Sequence, residues 1–113
     1  MADAAAPRVE IQWWEGCPSW ERAIAILTEE MAAAGLDPGE LIVTEVVDEG
    51  QAELLRFPGS PTILVDGRDV QDNEGQPTGL TCRVYRLRDG RASPLPDRAD
   101  IAAALRAAPK GEL

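Results

Sequence analysis

Val9-Glu10-Ile11-Gln12-Trp13-Trp14 runs through Glu15-Gly16-Cys17-Pro18 into a segment with apolar residues at Trp20, Ile24, Leu27, Met31 and Ala34. Two periods meet there. Val9, Ile11 and Trp13 alternate with Glu10, Gln12 and Trp14, the period-two pattern of a strand rich in branched and aromatic side chains. Glu15 and Gly16 break it. Pro18 stands where a first helical residue is expected, since its fixed φ suits that position and its missing N–H costs nothing there. The spacing therefore predicts a helix starting directly after Cys17. Its steps of four and three bury one stripe and turn Glu21, Thr28 and Glu29 outward, and Gly35 ends it.

Further along, Leu41 to Val47 is an almost unbroken β-branched run, which predicts a second strand covered on both faces. Asp48 is placed to cap a short helix reaching Phe57, with Gln51 completing an approximate capping box. Pro58 ends that helix. Gly59-Ser60-Pro61-Thr62 then leads into Ile63-Leu64-Val65, with Pro61 at a strand start because it cannot donate to a central ladder. Asp66-Gly67 is a two-residue hairpin signal that turns the chain back through Arg68, Asp69 and Val70. Asp72 to Gly79 reads as a loop long enough to be a lid or a binding segment. Cys82, Val84, Tyr85 and Leu87 form a further β-like stretch, and Asp97 caps a last helix with Ile101, Ala104, Leu105 and Ala108 on its apolar face, closed by Pro109. One domain over residues 8–108 is expected, between a disordered 1–7 and a tail at 109–113.

With 113 residues the chain suits a single core, and with five aromatic residues that core must be built mainly of Leu, Ile, Val and Ala. The net charge of −9, from 20 acidic and 11 basic side chains, repels phosphate backbones, so nucleic acid is not an expected partner. No apolar run approaches the length of a membrane span, and Met1 to Pro7 lacks the basic and apolar regions of a signal peptide, so a monomeric cytoplasmic protein is expected. The chain contains no histidine, which removes Ser-His, Cys-His and Cys/His metal schemes. No cofactor and no metal are called for. Arg83, Arg86, Arg88 and Arg91 read as a solvated strand edge, and Tyr85 as an ordinary strand aromatic.

The order strand, helix, strand, helix, hairpin, helix makes the first two strands parallel and places helices on both faces of the sheet. This order resembles the thioredoxin and glutaredoxin superfamily from Val9 to Ala108. The residues that carry the resemblance are Cys17-Pro18 between the first strand and helix and Ser60-Pro61-Thr62 before the third strand. Within the superfamily the chain is similar to small bacterial thioredoxin-like proteins often labelled alkylmercury lyase, through Gly16-Cys17-Pro18, Gly59 to Thr62, Val65 to Asp69 and Cys82-Arg83-Val84-Tyr85. The resemblance implies a βαβαββα fold with a central mixed sheet of about four strands, a cis Pro61 packed against a reactive Cys17, and a substrate side formed by Trp14, Pro18, Trp20, Ser60, Pro61 and Thr62. Trp20 stands where the superfamily's motif carries its second cysteine.

A thiolate is the nucleophile and the soft-metal ligand, and unpaired N–H groups at a helix head stabilise it. With Trp20 in place of a second motif thiol, the mixed disulfide formed at Cys17 has no local resolving group. The expectation is therefore monothiol-type thiol-disulfide exchange at Cys17 with a small thiol or a protein disulfide. Cys82 has two readings. If the Asp66-Gly67 hairpin returns the chain to the pole bearing Cys17, Cys82 can join Cys17 and Pro61 as a second working thiol. If Cys82 begins the returning strand, it lies at the far pole as packing. The alternative function is a redox-inert or soft-metal thiolate-binding module, with mercury as the soft ion; the resemblance to organomercurial lyase-like proteins, which use an acidic or serine partner near the first cysteine, implies Ser19 and Glu21 for that place.

Overall fold

The structure is a computed structural model in which residues 6–107 are described. Strand β1 is Val9–Trp13, helix α1 Trp20–Ala33, strand β2 Ile42–Glu45, helix α2 Glu49–Leu55, strand β3 Thr62–Val65, strand β4 Arg68–Asp69, strands β5 and β6 Tyr85–Arg86 and Ala92–Ser93, and helix α3 Arg98–Ala107. The protein is α/β, with a mixed four-stranded sheet in the order β2-β1-β3-β4 and three helices. β1 and β2 are parallel; β1 with β3, and β3 with β4, are antiparallel. Strands β5 and β6 form a separate hairpin. Among the described residues no helix is long and apolar enough to cross a membrane.

The two faces of the sheet differ because β1 and β3 alternate in register. Val9 pairs with Val65 and Ile11 with Ile63, and these four side chains pack with Ala23, Leu27 and Met31 of α1 and with Ile101 and Leu105 of α3 to form the main core. Burying each such Leu or Ile contributes about 1.5–3 kcal/mol, so this face holds the fold together. On the other face lie Glu10, Gln12, Thr62 and Leu64. There α2 reaches the sheet only at one end, where Ala52 packs with Val46 and Phe57 under Trp14 and Leu80.

Several local expectations are met by specific bonds. Asp48 Oδ1 accepts from the Gln51 N–H at 2.8 Å while Gln51 Oε1 accepts from the Val47 N–H at 2.9 Å, a capping box displaced by one residue. Asp66 and Gly67 take φ of 52° and 80°, the paired left-handed residues of a tight hairpin. The Ser60–Pro61 bond is cis.

Other expectations are corrected. Helix α1 starts at Trp20, not directly after Cys17: the Cys17 N–H bonds back to the Trp14 carbonyl at 3.1 Å, which inserts a turn before the helix can start. Along α1 Ala23 replaces Ala34 in the buried stripe, and Ala34 is exposed. The run Leu41 to Val47 is not covered on both faces, because β2 is the outer strand; Ile42 is 36% and Val43 50% exposed. Helix α2 ends at Leu55 and not at Phe57, since Arg56 turns left-handed at φ 55°. The stretch from Cys82 to Leu87 is a strand only at Tyr85–Arg86. Met1 to Ala5 of the expected disordered segment, Ala108, Pro109 and the 109–113 tail lie outside the described residues.

Candidate functional site

The hairpin decides where the second thiol goes. β3 begins beside the end of β1, at the Gln12–Thr62 pair, and β4 runs antiparallel to β3 and so returns to that same end. From there the loop carries the chain to Thr81-Cys82-Arg83, which lies along the cis-proline segment. The Ser60 N–H donates to the Thr81 carbonyl at 2.8 Å and the Arg83 N–H to the Ser60 carbonyl at 2.9 Å, so that Ser60 and Cys82 form a parallel bridge. Cys82 therefore lies at the pole that bears Cys17 and not at the far pole.

Cys17 is buried, 1% exposed, and its Sγ–H donates to the Ser60 carbonyl at 3.3 Å. Cys82 is exposed, and both cysteines are free. Both cysteines meet at Ser60, Cys17 through its thiol and Cys82 through the backbone bridge, and interaction with the Cys17 side chain raises the Cys82 pKa above the ordinary thiol value, with partial burial adding in the same direction. Two adjacent thiolates repel, so the pair gives up one proton far more readily than two.

Ser60 is the hub between them. Its Oγ accepts from the Trp14 N–H at 3.0 Å, tying the end of β1 to the proline loop that Cys17 touches. Pro61 and Thr62 are fully buried beside it, and the Thr62 hydroxyl donates to the Gly59 carbonyl at 2.6 Å. Gly59 sits at φ +133°, and a Cβ there would come within 3.1 Å of the Arg83 backbone, so the close approach of residues 81–83 requires glycine at this position. Gly16 makes room in another way: a Cβ on it would lie 2.3 Å from the Trp14 ring.

The remaining expected site residues divide. Trp14 is half-buried in the small cluster with Val46 and Phe57, so it braces the thiol turn from behind. Trp20 stacks on Trp13, with centroids 3.9 Å apart and planes at 24°, and forms a half-buried aromatic wall three residues past Cys17. Pro18 is exposed. Ser19 caps α1 without a side-chain hydrogen bond.

Arg83 does not belong to a solvated edge. Its guanidinium is buried, with Nη1 2.5 Å from Asp69 Oδ2 and Nη2 2.9 Å from the Gln71 carbonyl, and it lies 4.3 Å above the Tyr85 ring. Tyr85 is more than an ordinary strand aromatic: its buried hydroxyl donates to the Pro61 carbonyl. Burial is the main reason the phenol's pKa is pushed upward. Asp69, Arg83 and Tyr85 together clasp the segment bearing Cys82 to the segment bearing Pro61. Their signal was present in the alternation: if Tyr85 points inward along an extended segment, Arg83 does too, while Cys82 and Val84 point out.

Chemically, two neighbouring thiols, one shielded and one open to solvent, can exchange with a disulfide or hold a soft ion between them. Among the described residues no group of three or more Cys, Asp or Glu side chains is gathered to bind a metal. No protein-family model, no curated protein and no solved structure matches the chain.

Proposed function

We propose that this chain is a thiol-disulfide exchange protein of the thioredoxin-like kind in which Cys82 and Cys17 act as a pair. The observation that carries the reading is that Cys17 and Cys82 both meet Ser60, beside the cis Pro61. In this reading Cys82, 65 residues further along the chain, serves with Cys17 in place of the monothiol course that Trp20 suggests.

Exposed Cys82 is the entry group by access; because its pKa is raised, the attacking thiolate is a minor form near neutral pH and exchange speeds up as pH rises. The Cys82 thiolate attacks one sulfur of a disulfide, forming a mixed disulfide and releasing the other sulfur as a thiolate. The Cys17 thiol gives its proton to that leaving thiolate and attacks Cys82 Sγ, forming the Cys17–Cys82 disulfide and expelling the second substrate thiolate. The protein loses two electrons and the substrate disulfide gains them. The partner is a small disulfide or a protein disulfide, and the setting that keeps both thiols reduced is the cytoplasm. A second reading rests on the same placement: two thiolates side by side favour a soft ion such as mercury over hard cations.

The test is reaction with an aromatic disulfide reagent that releases a coloured thiolate. The native chain is expected to release two equivalents, carry no adduct and lose two hydrogens in mass. Cys17→Ser is expected to release one equivalent and retain the mixed disulfide on Cys82. A stable adduct on the native chain, or a Cys82 that does not react, would sink the paired mechanism.

A further inference from the structure

The polar face of the sheet contains a cleft of about 530 Å³, bounded by the end of α2, the β3–β4 hairpin and residues 72–73. This volume lies within the range of small-molecule sites, roughly 300–1,000 Å³. Gln12 forms part of its floor and is 4% exposed. The Gln12 Nε2 donates to Glu10 Oε2 at 3.2 Å, an oxygen that also receives the Thr44 hydroxyl at 2.8 Å. Because a carboxylate accepts, the amide NH2 must face Glu10, and this fixes the carbonyl Oε1 on the other side. Among the described residues nothing donates to that oxygen, so a buried acceptor is left open at the floor of a cavity.

The rim adds charge. Arg56 and Arg68 both line the cleft, and among the described residues neither guanidinium has a hydrogen bond or an ion pair. Asp69 in the wall is ion-paired with Arg83, which leaves Asp72, among the described residues, as the one lining carboxylate without an ion pair beside two guanidiniums without one, in a chain of net charge −9. A surface this acidic repels anions in general, which makes two unpaired guanidiniums facing one cavity a local exception.

The geometry points to a binding site for a small N-acyl amino acid. Its single carboxylate lies between Arg56 and Arg68, and its amide N–H donates to the Gln12 carbonyl. A single carboxylate suits the two guanidiniums that have no ion pair, while Asp72 disfavours a dianion such as a phosphate monoester. The site lies on the sheet face opposite α1 and α3 and does not depend on the thiol pair.

The experiment is an amide-resolved NMR titration with N-acetylglycine and with its uncharged counterpart N-acetylglycinamide. N-acetylglycine is expected to cause saturable shifts at the backbone amides of Gln12, Thr62 and Arg68, with a Kd in the millimolar range. N-acetylglycinamide is expected to bind roughly tenfold more weakly, because it lacks the charge-assisted pairing. The exposed variants Arg56→Gln and Arg68→Gln, checked for unchanged spectra elsewhere, should each weaken binding of the acid without altering that of the amide. Absence of saturable shifts, equal binding of acid and amide, or full affinity in both arginine variants would overturn the assignment.

Discussion

The two thiols arrive at one spot by opposite routes. Cys17 is delivered by neighbours in sequence: it follows β1, bonds back to Trp14 and precedes α1, whose Ala23, Leu27 and Met31 are embedded in the main core. Cys82 is delivered from a distance, after a long loop and outside any regular strand, and is held by a backbone bridge, by the buried Arg83 with its bonds to Asp69 and Gln71, and by the Tyr85 hydroxyl. A thiol on a core-packed element keeps its place as long as the domain is folded. A thiol on an irregular segment instead depends on those side-chain contacts, so its position is more sensitive to single substitutions at Asp69, Arg83 and Tyr85.

The most severe way to break this asymmetry is Asp69→Ala, which leaves the Arg83 guanidinium buried without its partner and is expected to cost about 3–5 kcal/mol. Denaturant unfolding would measure that loss. The double replacement Asp69→Leu with Arg83→Met should recover much of it. Next comes Gly59→Ala, where a left-handed backbone and a 3.1 Å approach to Arg83 both oppose a side chain; the expected loss is about 1–3 kcal/mol. In that variant the release of the second coloured equivalent should slow, while the first is unaffected or faster; unchanged release of both would show that the 81–83 segment does not need its close seat.

Tyr85→Phe is milder. It removes a single hydrogen bond to the Pro61 carbonyl and should lower stability by about 1 kcal/mol, read from the denaturant midpoint at constant slope. The smallest expected effect is on pH dependence. The pKa values of Cys82 and Tyr85 are both raised in the folded chain, so above about pH 8.5 the unfolded chain releases protons that the folded chain retains, and stability falls as pH rises. Below that pH their contribution is fully present. Denaturant midpoints from pH 7 to 11 should decline, and Cys82→Ser and Tyr85→Phe should each flatten part of the decline.

How much of this was legible in the sequence varied with the distance over which each feature is determined. The β1-turn-α1 unit, the Asp48 cap, the Asp66-Gly67 hairpin and the burial of Ile101 and Leu105 on α3 are written in periods and turn residues, and they appear where those signals place them, apart from a helix start shifted by the Trp14–Cys17 turn. The β-branched run Leu41 to Val47 misled in a specific way. Such composition reports strand tendency but not position in the sheet, and β2 proved to be the outer strand. Arg83 misled for the complementary reason, since charge suggests solvent unless the partner, here Asp69, is already known to lie opposite.

By itself, then, the sequence determined an α/β chain with a thiol at a strand-to-helix turn, because local backbone preferences and hydrophobic periods act over a few residues. It also determined that no second thiol stands beside the first along the chain, since Trp20 occupies that place. Only the tertiary structure decided that Cys82 lies at the Cys17 end of the sheet, beside Ser60. That outcome depends on the return of β4 to the Cys17 end of the sheet and on a buried Asp69–Arg83 pair across 14 residues, contacts whose energies exist only once both sides have been brought together.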